Sequence, residues 1–309
     1  MTTIKNIAKK IKPYIHETPI LTSTLLNEIV GCDIFFKCEN FQKMGAFKMR
    51  GATNAILNLS EEQKDKGVVT HSSGNFAQAL SLAANKLGIK AYIVMPSSAP
   101  KVKIDAVKGY GGEVTICLPT LKDRETNAER ISIENGATFI HPSNDLDVIK
   151  GQGTAAFELL EKYSNLDAIF TPVGGGGLVA GTILAVQQRS PNCKIYGGEP
   201  ENVDDAFRSL KSGRIETNET TDTIADGLKT QLGDINFPII RNGIEEIVLV
   251  TEDQILSALK LIWSRLKIVI EPSSAVAFAA LINKSSDLNS KNIGVILSGG
   301  NVNLDNITF

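Results

Sequence analysis

Short apolar runs alternate with longer helix-like stretches along most of this chain. The apolar runs are strand-like and occupy 67–71, 91–95, 113–117, 139–140, 167–173, 194–199, 246–250 and 293–297. The stretches between them suit helices at 76–87, 101–108, 121–134, 154–163 and 178–186. A capping-box pattern at Thr251 and Gln254 begins another helix that reaches about residue 267, and 2–11 reads as a short amphipathic helix.

This alternation predicts an α/β fold with a parallel sheet and helices on its faces. Ligands of such sheets bind beyond the carboxyl ends of the strands. Polar or glycine-rich segments follow predicted strands at 71–75, 174–177 and 298–301. We therefore expect these segments to line the ligand site.

Four consecutive glycines, Gly174, Gly175, Gly176 and Gly177, separate a strand-like run from a helix-like run. Glycine tolerates positive φ and lets backbone N–H groups converge, and a helix N-terminus adds partial positive charge. One or two glycines would suffice for a tight turn, so four favour a phosphate site. The sequence is not a nucleotide P-loop and matches the dinucleotide pattern poorly, which favours a small phosphorylated cofactor over a dinucleotide.

Composition narrows the class of protein. The 309 residues are 42% hydrophobic and 21% charged, as in an enzyme with two lobes or one large domain. The net charge of −2 gives no electrostatic basis for binding nucleic acid or an anionic membrane, and no apolar run is long enough to span a bilayer. The four cysteines are scattered and the N-terminus lacks a signal-peptide core, so we expect a cytoplasmic protein without disulfides.

Lys48 is the candidate chemical partner of the phosphate. It lies between Phe47 and Met49, and apolar surroundings lower the pKa of a lysine and make its amine nucleophilic toward carbonyls. An arbitrary lysine is more often simply solvated. Here the glycine loop favours a chemical role for Lys48, because it implies a phosphate, and pyridoxal phosphate is a phosphorylated aldehyde that pairs with lysine.

Eight short motifs occur in a fixed order along the chain. They are HETP at 16–19, ENFQ at 39–42, GAFKMRG at 45–51, SSGN at 72–75, GQGT at 151–154, PVGGGG at 172–177, ADG at 225–227 and SGGN at 298–301. Together they resemble the fold type II pyridoxal-phosphate enzymes, the tryptophan synthase β superfamily, over essentially the whole length. Within it the chain is most similar to the serine racemase and serine/threonine dehydratase family.

The resemblance implies a two-domain fold and a set of cofactor contacts. Two open, twisted, mostly parallel sheets flanked by helices would form a large domain of 1–58 and 145–309 and a small domain of 59–144. Lys48 would hold the cofactor covalently, Phe47 would pack near its ring and Asn75 would bind its 3′-oxygen. The phosphate would be held by backbone N–H groups of Gly174, Gly175, Gly176 and Gly177. Ser298 would face the pyridine nitrogen, where a neutral hydroxyl makes the ring a moderate electron sink that suits β-elimination.

The substrate of such an enzyme is an amino acid, whose carboxylate would bind at a helix start to Ser72, Ser73, Gly74, Asn75 and Gln78. Racemisation needs an acid or base on each face of the planar carbanion. Lys48 supplies one face, and the resemblance assigns the other to Ser73. Without the resemblance, Ser73 is equally well read as a helix cap or turn residue.

Three functions remain open at this point. The resemblance favours a serine racemase with dehydratase activity, and a threonine or 3-hydroxyaspartate ammonia-lyase is the alternative. A non-catalytic ligand sensor is the third, and the intact Lys48, Asn75 and Ser298 argue against it. The chain departs from the family at Phe76, where histidine is usual.

The resemblance also implies a divalent cation and a homodimer. Mg²⁺, Mn²⁺ or Ca²⁺ would be bound by the carboxylates of Glu199 and Asp205 and the backbone carbonyl of Val203, since hard oxygen donors suit these ions. An acidic solvated loop is the alternative interpretation of the same residues.

Overall fold

Two sheets of unequal size form the frame of the computed structural model, which describes residues 3–288, 291–304 and 307. The strands are β1 (Ile20–Leu21), β2 (Asp33–Cys38), β3 (Val68–His71), β4 (Ala91–Pro96), β5 (Glu113–Cys117), β6 (Thr138–Phe139), β7 (Ala168–Pro172), β8 (Lys194–Pro200), β9 (Glu246–Val250) and β10 (Asn292–Leu297).

Helices connect most of these strands. They are α1 (Ile4–Ile11), α2 (Thr24–Val30), α3 (Lys48–Asn58), α4 (Glu61–Lys66), α5 (Asn75–Lys86), α6 (Lys101–Gly109), α7 (Leu121–Asn135), α8 (Leu146–Gln152), α9 (Thr154–Lys162), α10 (Gly177–Arg189), α11 (Asp205–Ser212), α12 (Asn236–Gly243), α13 (Glu252–Leu261) and α14 (Pro272–Lys284). Short 3₁₀ turns lie at Lys12–Tyr14, Glu39–Phe41, Lys43–Gly45, Glu201–Val203, Asp226–Leu228 and Ser285–Asp287, and a π-helical turn lies at Ile262–Leu266.

The strand order is β1-β2-β10-β7-β8-β9 in the larger sheet and β5-β4-β3-β6 in the smaller one. Every pair is parallel except β1 with β2, in which Ile20 pairs with Lys37. Parallel neighbours require crossover connections, and these carry the helices onto the sheet faces. The predicted α/β class, with two mostly parallel sheets flanked by helices, is confirmed.

The strands of the smaller sheet all come from 68–139, whereas the larger sheet takes strands from both sides of that segment. The division into a large domain of 1–58 and 145–309 and a small domain of 59–144 stays a prediction, because sheet membership alone does not set the limits of a domain.

The larger sheet is buried on both faces. Because neighbouring residues of a strand point to opposite sides, each strand contributes to two apolar cores. On β7, Ile169 joins the apolar core beneath α1, α8, α9 and α10, whereas Ala168 and Phe170 join the core beneath α13 and α14. In that second core the rings of Phe36 and Phe278 meet edge-on at 5.4 Å. Among the described residues, no helix combines the length and apolar character needed to cross a membrane.

A buried ion network anchors the helix that begins at Lys48. The Arg50 guanidinium lies 2.7 Å from Glu39 through Nε and 2.7 Å from Glu158 through Nη1, and Lys37 Nζ lies 2.6 Å from the same Glu158. Arg50 and Glu39 are fully buried. The network therefore fixes α3 against β2 and α9, two residues beyond Lys48.

Two details of the sequence prediction need correction. β2 was not predicted, although it lies inside the larger sheet beside β10, because the charged Asp33 and Lys37 interrupt its apolar pattern. The helix predicted to run to about 267 begins with the expected capping box, but its α-helical part ends at Leu261. A π-helical turn follows over Ile262–Leu266, and Lys267, with φ 60°, ends it.

Candidate active site

The predicted ligand segments meet where strands of both sheets end. The backbone N–H of Phe47 donates to the Ser298 carbonyl at 3.0 Å, and Ala46 forms an isolated bridge with Gly299. These contacts bring the start of α3 beside the segment that follows β10. Ser298 is 3% exposed, so it is buried at this junction.

The amine of Lys48 has one polar neighbour and two aromatic neighbours. Its Nζ donates to the carbonyl oxygen of Pro142 at 2.8 Å and lies 5.0 Å from the ring centre of Phe47 and 5.7 Å from that of Phe76. Burial lowers the pKa of Lys48 to about 8, with the carboxylate of Glu271 opposing this shift. About a tenth of the amine is therefore neutral at pH 7, far more than for a solvated lysine, and the lowered pKa agrees with the prediction from its apolar neighbours.

The four glycines are buried and form the turn between β7 and α10. Gly176, with φ +80°, caps α10, a conformation that other residues rarely adopt. A Cβ at Gly175 would meet Ser143 Oγ at 2.5 Å, and one at Gly174 would meet the Leu228 backbone at 2.7 Å. The first N–H groups of a helix have no acceptor within it, so this turn presents donors suited to a phosphate.

The 141–144 segment joins the amine to the glycine loop. Pro142 accepts from Lys48, and its neighbour Ser143 packs against Gly175. Asn236 Nδ2 then donates to the carbonyls of both Ser143 and Gly175, at 3.0 and 2.9 Å. A lysine amine with a lowered pKa and a glycine turn at a helix N-terminus are thus joined by one short segment, an arrangement that would suit pyridoxal phosphate.

The substrate-binding residues predicted from the sequence lie at the start of α5. Ser72, Ser73 and Gly74 form the half-buried turn between β3 and α5, and Ser72 Oγ accepts from the Gly74 N–H at 3.3 Å. Gln78 lies one turn into the helix and is 8% exposed. The side chain of Phe76, the residue that stands where the family usually has histidine, lies against Lys48.

Asn75 is held by two groups from the other side of the cleft. Its Nδ2 donates to Glu271 at 3.0 and 3.2 Å, and its Oδ1 accepts from Asn301 Nδ2 at 2.9 Å. Burial, reinforced by the charge of Asp226, raises the pKa of Glu271 to about 7. The sequence indicated Asn75 as a site residue, and the family resemblance indicated Glu271 as a glutamate near the cofactor, with a place at a helix N-terminus as the alternative interpretation.

Several residues that shape the site were missed. The sequence predicts only a structural role for His141 and gives no indication of Asn236 or Ser143. The Asn236 side chain binds the carbonyls of Ser143 and Gly175, which lie 93 and 61 residues away in the chain. The only available signal was the histidine at the end of a predicted strand, a position beyond which such sheets bind ligands.

The two acidic residues predicted to bind a cation are completely buried. Glu199, the second-last residue of β8, accepts the N–H groups of Ala206 at 2.9 Å and Phe207 at 2.8 Å, while Asp205 accepts from Asn218 Nδ2 at 2.6 Å. Burial and then the charge of Asp205 raise the pKa of Glu199 well above its usual range. Burial raises the pKa of Asp205 to about 6.

A cation would relieve this repulsion, so the donor set suits one. Its members would be two carboxylates and a backbone carbonyl, since Val203 is buried in the 3₁₀ turn between them. No group of three or more His, Cys, Asp or Glu side chains within the described residues could hold a metal. Any cation here would therefore depend on backbone and water oxygens as well.

The chain resembles known proteins over nearly its whole length. It is 50% identical to serine racemase of Dictyostelium discoideum over 99% of this chain and 95% of that protein, and 47% identical to β-hydroxyaspartate dehydratase of Paracoccus denitrificans over 97% of this chain and 96% of that one. The crystal structure of the Dictyostelium discoideum serine racemase superposes with a TM-score of 0.94 over 97% of this chain and 98% of that chain. A model of the pyridoxal-phosphate dependent enzymes matches residues 11–299. The chain belongs to the family of pyridoxal-phosphate dependent enzymes.

Proposed function

We propose that this enzyme is a serine racemase that also eliminates water from serine to give pyruvate and ammonia. The observation that carries the proposal is Lys48, a buried amine with a lowered pKa that shares the 142–143 segment with the glycine loop. The likeness to serine racemases at half identity supports serine as the substrate.

The cofactor contacts in this proposal use the residues predicted from the sequence. Lys48 would hold the cofactor covalently beside Phe47, and Asn75 and Ser298 would bind its ring. The backbone N–H groups at Gly174, Gly175, Gly176 and Gly177 would hold its phosphate. Bound in this way, pyridoxal phosphate withdraws electrons from the substrate Cα and lowers the barrier to its deprotonation.

Lys48 acts as the base on one face of the substrate. The neutral amine of Lys48 would take the Cα proton of the bound substrate, and its pKa of about 8 makes that form accessible near neutral pH. The Pro142 carbonyl, 2.8 Å from Nζ, orients the amine. With the β-hydroxyl lost as water, hydrolysis gives the keto acid and ammonia.

Ser73 supplies the proton on the opposite face. It lies in the turn before α5, whose N-terminus also suits the substrate carboxylate, bound by Ser72, Gly74, Asn75 and Gln78. Because the hydroxyl can deliver a proton from the side opposite to Lys48, the planar carbanion can be converted to either enantiomer. Without that proton, only elimination and the original enantiomer are accessible.

A divalent cation is proposed at Glu199 and Asp205, with the Val203 carbonyl as a third donor. Mg²⁺, Mn²⁺ and Ca²⁺ all suit such oxygen ligands. The buried, mutually repelling carboxylates support this assignment. The cation would stabilise the start of α11, whose N–H groups Glu199 already binds.

A cytoplasmic homodimer is also proposed. All four cysteines, Cys32, Cys38, Cys117 and Cys193, are buried free thiols, which suits a reducing compartment. The dimer rests on the family resemblance, and its mass in solution can be measured by light scattering.

Ammonia-lyase activity on 3-hydroxyaspartate is the second candidate. It is favoured by the 47% identity to β-hydroxyaspartate dehydratase, and the same Lys48 and Ser73 would serve that reaction. Threonine is the remaining alternative substrate, and a threonine deaminase is 41% identical.

One experiment separates these functions. The holoenzyme is incubated with L-serine, D-serine, L-threonine and 3-hydroxyaspartate, and keto acid and the opposite enantiomer are measured. The proposal predicts both D-serine and pyruvate from L-serine. Keto acid from 3-hydroxyaspartate alone would instead assign the second function, and a Lys48→Ala variant controls for catalysis by other amines.

A further inference from the structure

His141 is a half-buried group that the reaction scheme does not use. It follows β6 by two residues, at the border between the two sheets, with its ring 6.1 Å from that of His71. The Nδ1 atom accepts the backbone N–H groups of Ser143 at 3.2 Å and Asn144 at 2.8 Å. An Nδ1 that accepts two hydrogen bonds carries no proton, so the ring is the neutral tautomer with its proton on Nε2.

These two hydrogen bonds fold 141–144 into a tight turn. The turn directs the Pro142 carbonyl at Lys48 Nζ, 2.8 Å away, and presses Ser143 against Gly175 and Gly177. At its end, Asn144 Oδ1 accepts the Ile235 N–H at 2.9 Å near the start of α12. One imidazole therefore fixes the wall that the amine and the glycine loop share.

The surroundings keep this imidazole neutral. Burial, followed by the charges of His71 and Lys48, lowers the pKa of His141 to about 4, and Asp234 opposes the shift. Protonation of Nδ1 would remove the acceptor and leave two backbone donors without their partner. With a pKa of about 4, Nδ1 stays unprotonated near neutral pH and keeps both hydrogen bonds.

We propose that His141 is a positioning residue of this active site, whose unprotonated Nδ1 holds the 142–143 segment so that Lys48 and the phosphate-binding glycines keep their relative places. The inference rests on the proposed role of Lys48 as the cofactor-binding lysine. It adds a residue that touches neither cofactor nor substrate and acts through the backbone.

The test compares two substitutions at one position. His141→Asn can place its Oδ1 where Nδ1 was and should keep cofactor affinity and kcat within about threefold, whereas His141→Ala should weaken both by about tenfold, the order expected when buried donors lose their acceptor. Affinity is measured by adding pyridoxal phosphate to the cofactor-free protein and following the visible absorbance of the lysine-bound cofactor. Phe139→Leu is the matched control, since the Phe139 ring centre lies 6.2 Å from that of His141 but Phe139 accepts neither N–H, and this variant should match the native protein.

The outcomes separate this inference from the proposed function. An Ala variant that binds cofactor as the native protein does overturns the positioning role, and so does an Asn variant as impaired as the Ala variant. If His141→Ala does not fold, ¹⁵N NMR of the native protein decides, because Nδ1 should remain unprotonated between about pH 6 and pH 8. A native enzyme without racemase or lyase activity would contradict the proposed function, whereas the binding and NMR results would still stand.

Discussion

The side-chain amide of Asn75, at the start of α5, donates to the carboxylate of Glu271 at 3.0 and 3.2 Å, at the start of α14. This contact joins an element that follows the smaller sheet to one that packs on the larger sheet. The carboxylate is buried, its pKa is raised to about 7, and it also influences Lys48. The pairing therefore links α5 to a carboxyl group whose charge affects the pKa of Lys48.

Glu271→Gln should change how stability depends on pH. A carboxyl whose pKa is raised by folding binds a proton more tightly in the folded state, so native stability falls as pH rises from about 4 to about 7. The Gln variant keeps an oxygen acceptor for Asn75 but cannot ionise. Its melting temperature should exceed that of the native protein by a few degrees more at pH 8 than at pH 5. An identical difference at both pH values, measured by calorimetry, would contradict the raised pKa.

The reaction of the cofactor-free protein with pyridoxal phosphate should depend on pH. Only the neutral amine of Lys48 attacks an aldehyde, and its pKa is about 8. The rate of cofactor incorporation, followed by absorbance, should therefore rise about tenfold between pH 7 and pH 9 and level off above this range. A rate that continues to rise toward pH 10.5 would indicate an ordinary, solvated lysine. Lys43→Ala, five residues before Lys48 in the chain, is the control for reaction at other amines.

Arg50→Lys should destabilise the protein although it preserves the charge. The guanidinium bonds two carboxylates at once, Glu39 and Glu158, and an ammonium cannot reproduce that geometry. Removing one partner of a buried ion pair costs about 3–5 kcal/mol of the free energy of unfolding, and since the ammonium keeps the charge we expect a loss at or below the lower end of that range. Urea unfolding measures this loss. Lys194→Ala, which removes an exposed ion pair with Glu245, is the control and should leave the urea midpoint unchanged.

Magnesium should raise the melting temperature through Glu199 and Asp205. Both carboxyl groups have raised pKa values, so cation binding must displace protons, and affinity should fall as pH is lowered through about 6. Glu199→Gln should abolish the increase in melting temperature at millimolar Mg²⁺. Glu201→Gln changes an exposed neighbour and should preserve it. A magnesium effect that survives Glu199→Gln would show that the cation binds elsewhere.

Sequence patterns predicted the parts of this molecule that depend on local chemistry. Alternating apolar runs gave most strands and the α/β class, and the glycine run and Lys48 gave the cofactor. The patterns failed where tertiary contacts decide. Lys37 is buried in β2 because Glu158, 121 residues away, pairs with it, and no local pattern reveals that partner.

The site shows the same division. Lys48 and Gly175 can be predicted from their residue types and sequence neighbours, whereas His141 and Asn236 matter only through the backbone atoms they bind. The sequence indicated Glu271, but no local pattern identified it as the partner of Asn75, which lies 196 residues away in the chain. Positioning groups of this kind become evident only when the distances between segments are known.

The most direct test of the proposed function is Ser73→Ala, assayed with L-serine for both products in the same sample. If Lys48 and Ser73 serve opposite faces of the substrate, D-serine formation should fall by about a hundredfold or more, while pyruvate formation stays within about threefold of the native rate. The pyruvate rate serves as the internal control for folding and cofactor content. Equal retention of D-serine and pyruvate would contradict the assignment of Ser73 as the second acid–base group.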